Sequence, residues 1–185
     1  MKTVCSKDLC TGCMLCVNVC TKQAIQIEDG FVTLNAVINE ERCVQCGRCK
    51  DFCPQSQGIE KFKPSTWYQG WADDADVRKG SSSGGAATAI ALAFIRNGGV
   101  CVSCEFTDGR FAFSKADAED SVLQFRGSKY VKSDPNEAYL LVKNEIQEGK
   151  KVLFIGLPCQ VAGIKRFIGD TDHLYTIDLI CHGTP

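Results

Sequence analysis

Residues 10–20 read CTGCMLCVNVC and residues 43–53 read CVQCGRCKDFC. The cysteine spacing is the same in both, C-x-x-C-x-x-C-x-x-x-C, so Cys10, Cys13, Cys16 and Cys20 recur 33 residues later as Cys43, Cys46, Cys49 and Cys53. Three thiols within seven residues curl around one corner of an inorganic cube while nearby backbone N–H groups point at its sulfides. The fourth cysteine lies a helical turn further on, faces away and reaches the neighbouring cube. The spacing therefore predicts two 4Fe-4S clusters, one held by Cys10, Cys13, Cys16 and Cys53 and the other by Cys20, Cys43, Cys46 and Cys49. Structural zinc prefers two separated ligand pairs, and a disulfide framework needs an oxidising compartment that no signal-like N-terminus announces. Thr21 stands where Pro54 follows Cys53, a position that shapes a turn and ligates nothing.

The totals agree with this reading. A chain of 185 residues, 44% hydrophobic, can hold two small domains, and the repeat argues for two. A two-cluster ferredoxin module over residues 1–62 is too small for a large core, so its clusters act as staples. Lys and Arg number 21 against 22 Asp and Glu, and two loaded cubes take the formal −1 to about −5, which argues against nucleic acid. The longest apolar run, Ala86 to Ile95, is too short to span a bilayer, and a cytoplasmic protein is expected.

Outward from the ladders, Cys5 sits on a short strand candidate and reads as a small apolar core residue. Ile25 and Ile27 alternate, Asp29-Gly30 turns, and Phe31 and Val32 resume, which predicts a hairpin between the ladders. Pro64 marks a joint, and residues 63–80 read as a linker with the first strand of the next domain. Its Trp67, Tyr68 and Trp71 line a flavin pocket or, the preferred reading because aromatics mostly pack, fill the seam between domains. Residues 81–185 read as an α/β domain. Ser81 to Gly85, with Ser82, Ser83 and Gly84, precedes an apolar helix over Ala86 to Arg96, a linker by composition and a phosphate site by position. A strand from Val100 carries Cys101 and Cys104, which alternation places on opposite faces. It turns at Asp108-Gly109 into a second strand, and a short helix follows. Arg126, Gly127, Ser128, Lys129 and Tyr130 combine cations, a hydroxyl and a ring suited to a dinucleotide. Ser133-Asp134-Pro135 reads as the start of a helix that runs to Glu148. Val152 to Ile155 is a buried strand, and Cys159 lies at the N-terminus of the helix after it, where thiolates are stabilised. A last strand, Tyr175 to Ile180, brings Cys181 to the sheet edge where open α/β folds bind ligands.

In this order, Ser81 to Gly85, Arg126 to Tyr130, Gly156 to Gln160 and Asp178 to Pro185 resemble the beta-subunit family of coenzyme F-420 hydrogenases and dehydrogenases. The likeness, with the ferredoxin module in front, covers nearly the whole chain. It implies an α+β ferredoxin-like two-cluster module followed by an incomplete α/β domain with a mixed sheet. It also implies FAD, held by Ser82, Ser83, Gly84, Gly85 and Arg126 to Tyr130, and hydride exchange between the flavin and a deazaflavin such as coenzyme F-420. Cys159 and Cys181 become ligands of a third 4Fe-4S cluster, whose remaining thiols the resemblance places beyond Pro185. The chain then reads as a fragment or as one piece of a split protein.

The expected function is that of an iron-sulfur flavoprotein oxidoreductase passing electrons to a redox partner protein or subunit, with no catalytic side chain legible. The alternative is a non-enzymatic relay that docks to a partner oxidoreductase. A third reading makes Cys159 a thiol nucleophile in disulfide reduction.

Overall fold

The computed structural model describes residues 2–59 and 62–183. The repeat builds the front of the molecule. Helix α1 (Leu15–Val19) begins inside the first ladder and α2 (Arg48–Phe52) inside the second. A third short helix, α3 (Pro54–Gln57), opens on the proline after Cys53, where a missing N–H costs nothing. Between the ladders, β1 (Ile25–Asp29) and β2 (Leu34–Ile38) pair antiparallel, Ile25 opposite Ile38 and Asp29 opposite Leu34.

The hairpin forms as expected, but its return strand starts later. Phe31 and Val32 lie in the turn, 97% and 90% exposed, because the Asp29 carboxylate accepts the Phe31 N–H at 2.8 Å and holds that residue at φ +67°. The N-terminal segment adds to the free side of β2 through the Thr3–Val37 and Cys10–Leu34 bridges, with the Val4 N–H donating to the Ala36 carbonyl and the Ile38 N–H to the Lys2 carbonyl.

The second half is a four-stranded mixed sheet of order β4-β3-β5-β6. Strands β3 (Val100–Thr107) and β4 (Arg110–Ala116) form an antiparallel hairpin, whereas β5 (Val152–Gly156) runs parallel to β3 and to β6 (Leu174–Asp178). The remaining helices are α4 (Ala75–Lys79), α5 (Ala86–Arg96), α6 (Glu119–Leu123), α7 (Ala138–Gln147) and α8 (Pro158–Ile168). Alternation sorts the strands between two cores. Cys101, Leu153 and Ile155 face Ala91 and Leu92 of α5 and Val122 of α6. Val100, Val102, Val152 and Phe154 face Tyr139 and Val142 of α7 and Val161 and Ile164 of α8.

That second core also contains Cys13, Leu15 and Val19 from the front module. The two halves thus share one apolar interior, which lets a module of this size bury more than its own chain could. Polar bonds close the seam: the buried Tyr139 hydroxyl donates to the Cys13 carbonyl, Arg166 donates to the Gly58 carbonyl at 2.6 Å, and Asn18 donates to Asn136 at 3.0 Å. Gly163 is glycine because a Cβ there would meet the Tyr139 hydroxyl.

Two expected elements differ. No strand forms at Trp67 to Trp71; Trp67 and Tyr68 are 84% and 92% exposed and do not fill the seam. Aromatics at 67, 68 and 71 do not follow the two-residue period of a strand, and the chain instead ties back through the Ala72 N–H to the Gly84 carbonyl at 2.7 Å. The helix expected at Ser133 starts at Ala138. Asp134 is drawn into a bridge with Ala112, its N–H donating to the Phe111 carbonyl at 2.8 Å, and this tertiary pairing overrides the local helix signal.

Candidate metal centres and flavin segment

The two ladder loops have the same backbone. Gly12 (φ +63°) corresponds to Gln45 (φ +55°), and Met14 (φ +59°) to Gly47 (φ +79°), so each loop takes two left-handed residues at matching positions. These turns swing the amides inward. The Gly12 N–H donates to Cys10 Sγ at 3.4 Å, and the Gln45 N–H donates to Cys43 Sγ at 3.4 Å. The Ala24 N–H does the same for Cys20 Sγ at 3.3 Å. Amides aimed at sulfur suit a thiolate that carries charge in a metal site.

Cys10, Cys13, Cys16 and Cys53 line one cavity with Val4, Leu15 and Ala36. Burial pushes the Cys13 thiol up to about 11, with Cys159, Cys53 and Cys10 adding to it. Burial also raises Cys16, reinforced by Cys13, Cys10 and Cys53. On the other side, Cys49 is raised by burial and by Cys20, Cys43 and Cys46. The fold thus places Cys53 beside the first three thiols and Cys20 beside the second three. Thiols so placed resist ionising alone and favour a cationic partner that takes them as thiolates. Among the described residues no three His, Cys, Asp or Glu converge on a single ion. A cube takes each thiolate at a different iron, so its ligands need not converge on one point.

Cys5, read from the sequence as an inert core residue, lies against this first set. It lines the same cavity, and its thiol is pushed up to about 12 by burial and by Cys53 and Cys10. Its five-residue offset from Cys10 carried no motif; only the pairing of the N-terminal segment with β2 brings it there.

Cys159, in the first turn of α8, and Cys181, beyond β6, line a second cavity of about 310 Å³ together with Cys10, Leu157 and Lys132. The hairpin turn, Asp29 to Leu34, forms its other wall. The Gly183 N–H donates to Cys181 Sγ at 3.3 Å, the contact seen in both ladders. Lys132, which no motif singled out, donates to the Thr11 carbonyl and so places a cation on the first ladder loop. Cys101 and Cys104 fall on opposite faces of β3, the first fully buried in one core and the second packed against the other, and they cannot chelate together.

The two segments expected to meet a flavin meet each other. The Ser82 hydroxyl accepts the Ser128 N–H at 2.7 Å, which locks the Ser81–Gly85 loop to the Arg126–Tyr130 turn. Gly85 (φ +78°) leads into α5, and Gly127 (φ +83°) turns the second segment beneath Ser82. Ser83 and Tyr130 are exposed, and Gly84 packs on Trp71. Lys129 is already engaged: its amine donates to the carbonyls of Phe125, Arg126 and Gly127 at 2.8–3.1 Å. Its charge caps the turn after α6 and is not free to reach a phosphate.

Fold and thiols define a two-cluster iron-sulfur protein. Residues 9–57 and residues 35–90 each match a 4Fe-4S dicluster domain, and residues 67–140 match the family described as coenzyme F420 hydrogenase/dehydrogenase, beta subunit N-term. A dicluster match at the front is thus followed by a match to that beta-subunit segment, in the order its motifs indicated. It is 42% identical over 67 residues to an uncharacterized polyferredoxin-like protein of Methanocaldococcus jannaschii, covering 31% of this chain and 40% of that protein. It is 36% identical over 68 residues to the pyruvate synthase subunit PorD of Thermotoga maritima, covering 37% and 64%. A chain of the F420-reducing [NiFe] hydrogenase complex from Methanosarcina barkeri shares its fold with a TM-score of 0.52 at 21% identity, over 60% of this chain and 42% of that one. The chain thus spans 40% and 64% of the two curated relatives. It is an iron-sulfur electron-transfer protein related to oxidoreductase subunits, and no helix among the described residues is long and apolar enough to cross a membrane.

Proposed function

We propose that this chain is the iron-sulfur part of a cytoplasmic flavoprotein oxidoreductase, carrying electrons between a two-electron donor or acceptor of the coenzyme F-420 type and a partner subunit. Cys10, Cys13, Cys16 and Cys53 hold one 4Fe-4S cluster and Cys20, Cys43, Cys46 and Cys49 the other. The observation that carries the reading is the convergence of the first thiol set with Cys159 and the β5–α8 edge, which brings the ferredoxin module to the side of the sheet where α/β folds bind ligands.

Bound FAD supplies the conversion of a hydride's two electrons into single-electron transfers. This chain's residues then have distinct tasks. Ser82 and Ser128 fix the two flavin segments to each other, and the α5 N-terminus, entered through Gly85, presents unpaired N–H groups to a phosphate. Arg126 donates to the Leu123 carbonyl through Nε at 3.1 Å and keeps its terminal nitrogens for a phosphate, whereas the Lys129 amine is spent on the turn. Tyr130 offers an exposed ring face. Cys159 and Cys181 give two ligands to a third cluster in the cavity beside Cys10, and Lys132 offsets its negative charge.

Anaerobic purification followed by iron, sulfide and acid-released flavin analysis tests this. About eight irons per chain with FAD supports the flavoprotein with two clusters, and about twelve adds the third. Iron without flavin leaves the relay reading, in which the α/β half only docks, and absence of iron removes both. Rapid alkylation of Cys159 with both clusters intact supports the thiol-nucleophile reading instead.

A further inference from the structure

The first thiol nest holds one sulfur more than a cube can use. Cys5, Cys10, Cys13, Cys16 and Cys53 all line one cavity, and a 4Fe-4S cube has four irons to ligate. The repeat does not supply Cys5: 33 residues further on stands Ile38, half-buried against the same core. An apolar side chain meets the packing need at the equivalent position, so packing alone does not call for sulfur. Local backbone brings Cys5 in. Thr3 bridges Val37, after which the chain bends at residues 4–6 instead of continuing as a strand. The bend breaks strand alternation, so Val4 and Cys5, neighbours in sequence, both face the cavity. The Thr3 hydroxyl donates to the Cys5 carbonyl at 2.7 Å and holds the bend. Beyond burial, the ligand sulfurs that act on the Cys5 thiol are Cys53 first and Cys10 second. Cys53 is also the member of this set that comes from the other ladder, at the junction of α2 and α3. Its corner is the one that a shift between the ladders would open.

We propose that Cys5 is a reserve ligand of the first cube, placed to take the iron corner of Cys53. The proposal rests on the reading of Cys10, Cys13, Cys16 and Cys53 as ligands of one cube, and it needs neither a flavin nor a third cluster. In the exchange, the bond between iron and Cys53 Sγ breaks and one to Cys5 Sγ forms at the same iron. The proton of the Cys5 thiol ends on the departing Cys53 thiolate, so the charge and oxidation state of the cube are unchanged. Isolated bridges rather than a continuous ladder tie the N-terminal segment to β2, so its movement breaks few bonds.

The test compares the full native chain with Cys5→Ala, Cys53→Ala and Cys5→Ala/Cys53→Ala, each purified and reconstituted without oxygen. Iron per chain, soluble yield and paramagnetic resonance are read. Cys5→Ala is expected to keep about eight irons, because Cys53 holds the corner. Cys53→Ala is expected to keep about eight as well, with Cys5 in its place. The double variant is expected to fall to about seven irons with the signal of a 3Fe-4S centre, to fall to about four, or to yield no soluble protein. Any of these beside a loaded Cys53→Ala supports the reserve ligand. Equal iron and yield in Cys53→Ala and the double variant overturn it, whether both stay loaded or both are lost. Loss of iron from Cys5→Ala alone overturns it too, as does alkylation of Cys5 by iodoacetamide in Cys53→Ala that keeps all its iron. A native chain without iron removes the cluster reading and the reserve ligand together, whereas a loaded native chain with equal variants removes the reserve ligand alone.

Discussion

The two ladders match residue for residue in cysteine spacing and nearly so in backbone dihedral angles, yet one is built into the interior and the other stands at the surface. The difference lies in what fills the gaps. Leu15 and Val19 of α1 turn into the core shared with α7 and α8, while the corresponding positions of α2 are the exposed Arg48 and Phe52, which only rests half-buried against that core, and no residue of α2 is fully buried. The cysteine spacing sets the shape of each thiol nest locally, through left-handed residues and inward amides. Burial is decided separately, by whether the residues between the cysteines are apolar enough to accept a neighbour.

The contrast is broken or sharpened most strongly by removing one ligand from each set. Cys46→Ser is expected to lose one cube, about half the iron, and leave a folded protein. Cys16→Ser opens the first cube within the N-terminal core that packs beneath the hairpin, so the expected outcome is loss of soluble folded protein. Iron content and size-exclusion behaviour measure both. Equal behaviour of the two variants would mean that the buried set contributes no more to folding than the exposed one.

A second contrast uses the glycines that serve the two loops. In Gly12→Ala a left-handed backbone and a new Cβ driven into Leu34 and Lys132 act together, and a loss of about 2–5 kcal/mol is expected. Gly47→Ala meets only the Asp51 carboxylate at 3.7 Å, so the backbone effect stands alone at about 1–2 kcal/mol. Denaturant midpoints of the cluster-loaded proteins rank them.

Next in size is the bond that fastens the inner loop to the second half. Tyr139→Phe leaves the Cys13 carbonyl without its buried donor and is expected to cost about 1–3 kcal/mol in the same unfolding assay. Burial and the Cys13 thiol both hold the phenol in its neutral, donating form, so the loss is expected to be the same across neutral and mildly alkaline pH.

Local pattern carried much of this fold and less of the site. The α5 helix ends where its apolar run meets Asn97-Gly98, and β3, β4 and β5 follow the alternation or continuous burial that their residues announce. The crossed ligand sets are an expectation of the spacing, since the repeat places Cys20 and Cys53 a turn beyond their own loops. What stayed hidden depends on long-range placement. Asp134 carries a helix-start signal but answers to Phe111, Cys5 has no motif until β2 collects it, and Lys132 enters the cavity only because the first ladder loop packs on it. Lys129 failed in the opposite sense: its residue type suited a phosphate, and three carbonyls of its own turn claimed it.

The smallest test asks whether the matched backbone, rather than the side chains, makes the loops equivalent. Gln45 is exposed and holds φ +55°, a conformation that costs an L-residue about 1–2 kcal/mol, while glycine loses about 0.5–1 kcal/mol of extra freedom on folding. Gln45→Gly keeps the N–H that faces Cys43 Sγ and is expected to stabilise the loaded protein by about 0.5–1 kcal/mol. Met14→Gly removes the same kind of strain from the inner loop but also strips a side chain that lines the cavity of the first thiol set, so no gain is expected there. A gain at Gln45 with none at Met14 would confirm that the outer ladder is limited by backbone strain and the inner one by packing. Equal gains would show that the inner loop's side chains contribute little, and the distinction between the two ladders would then rest on the neighbouring helices alone.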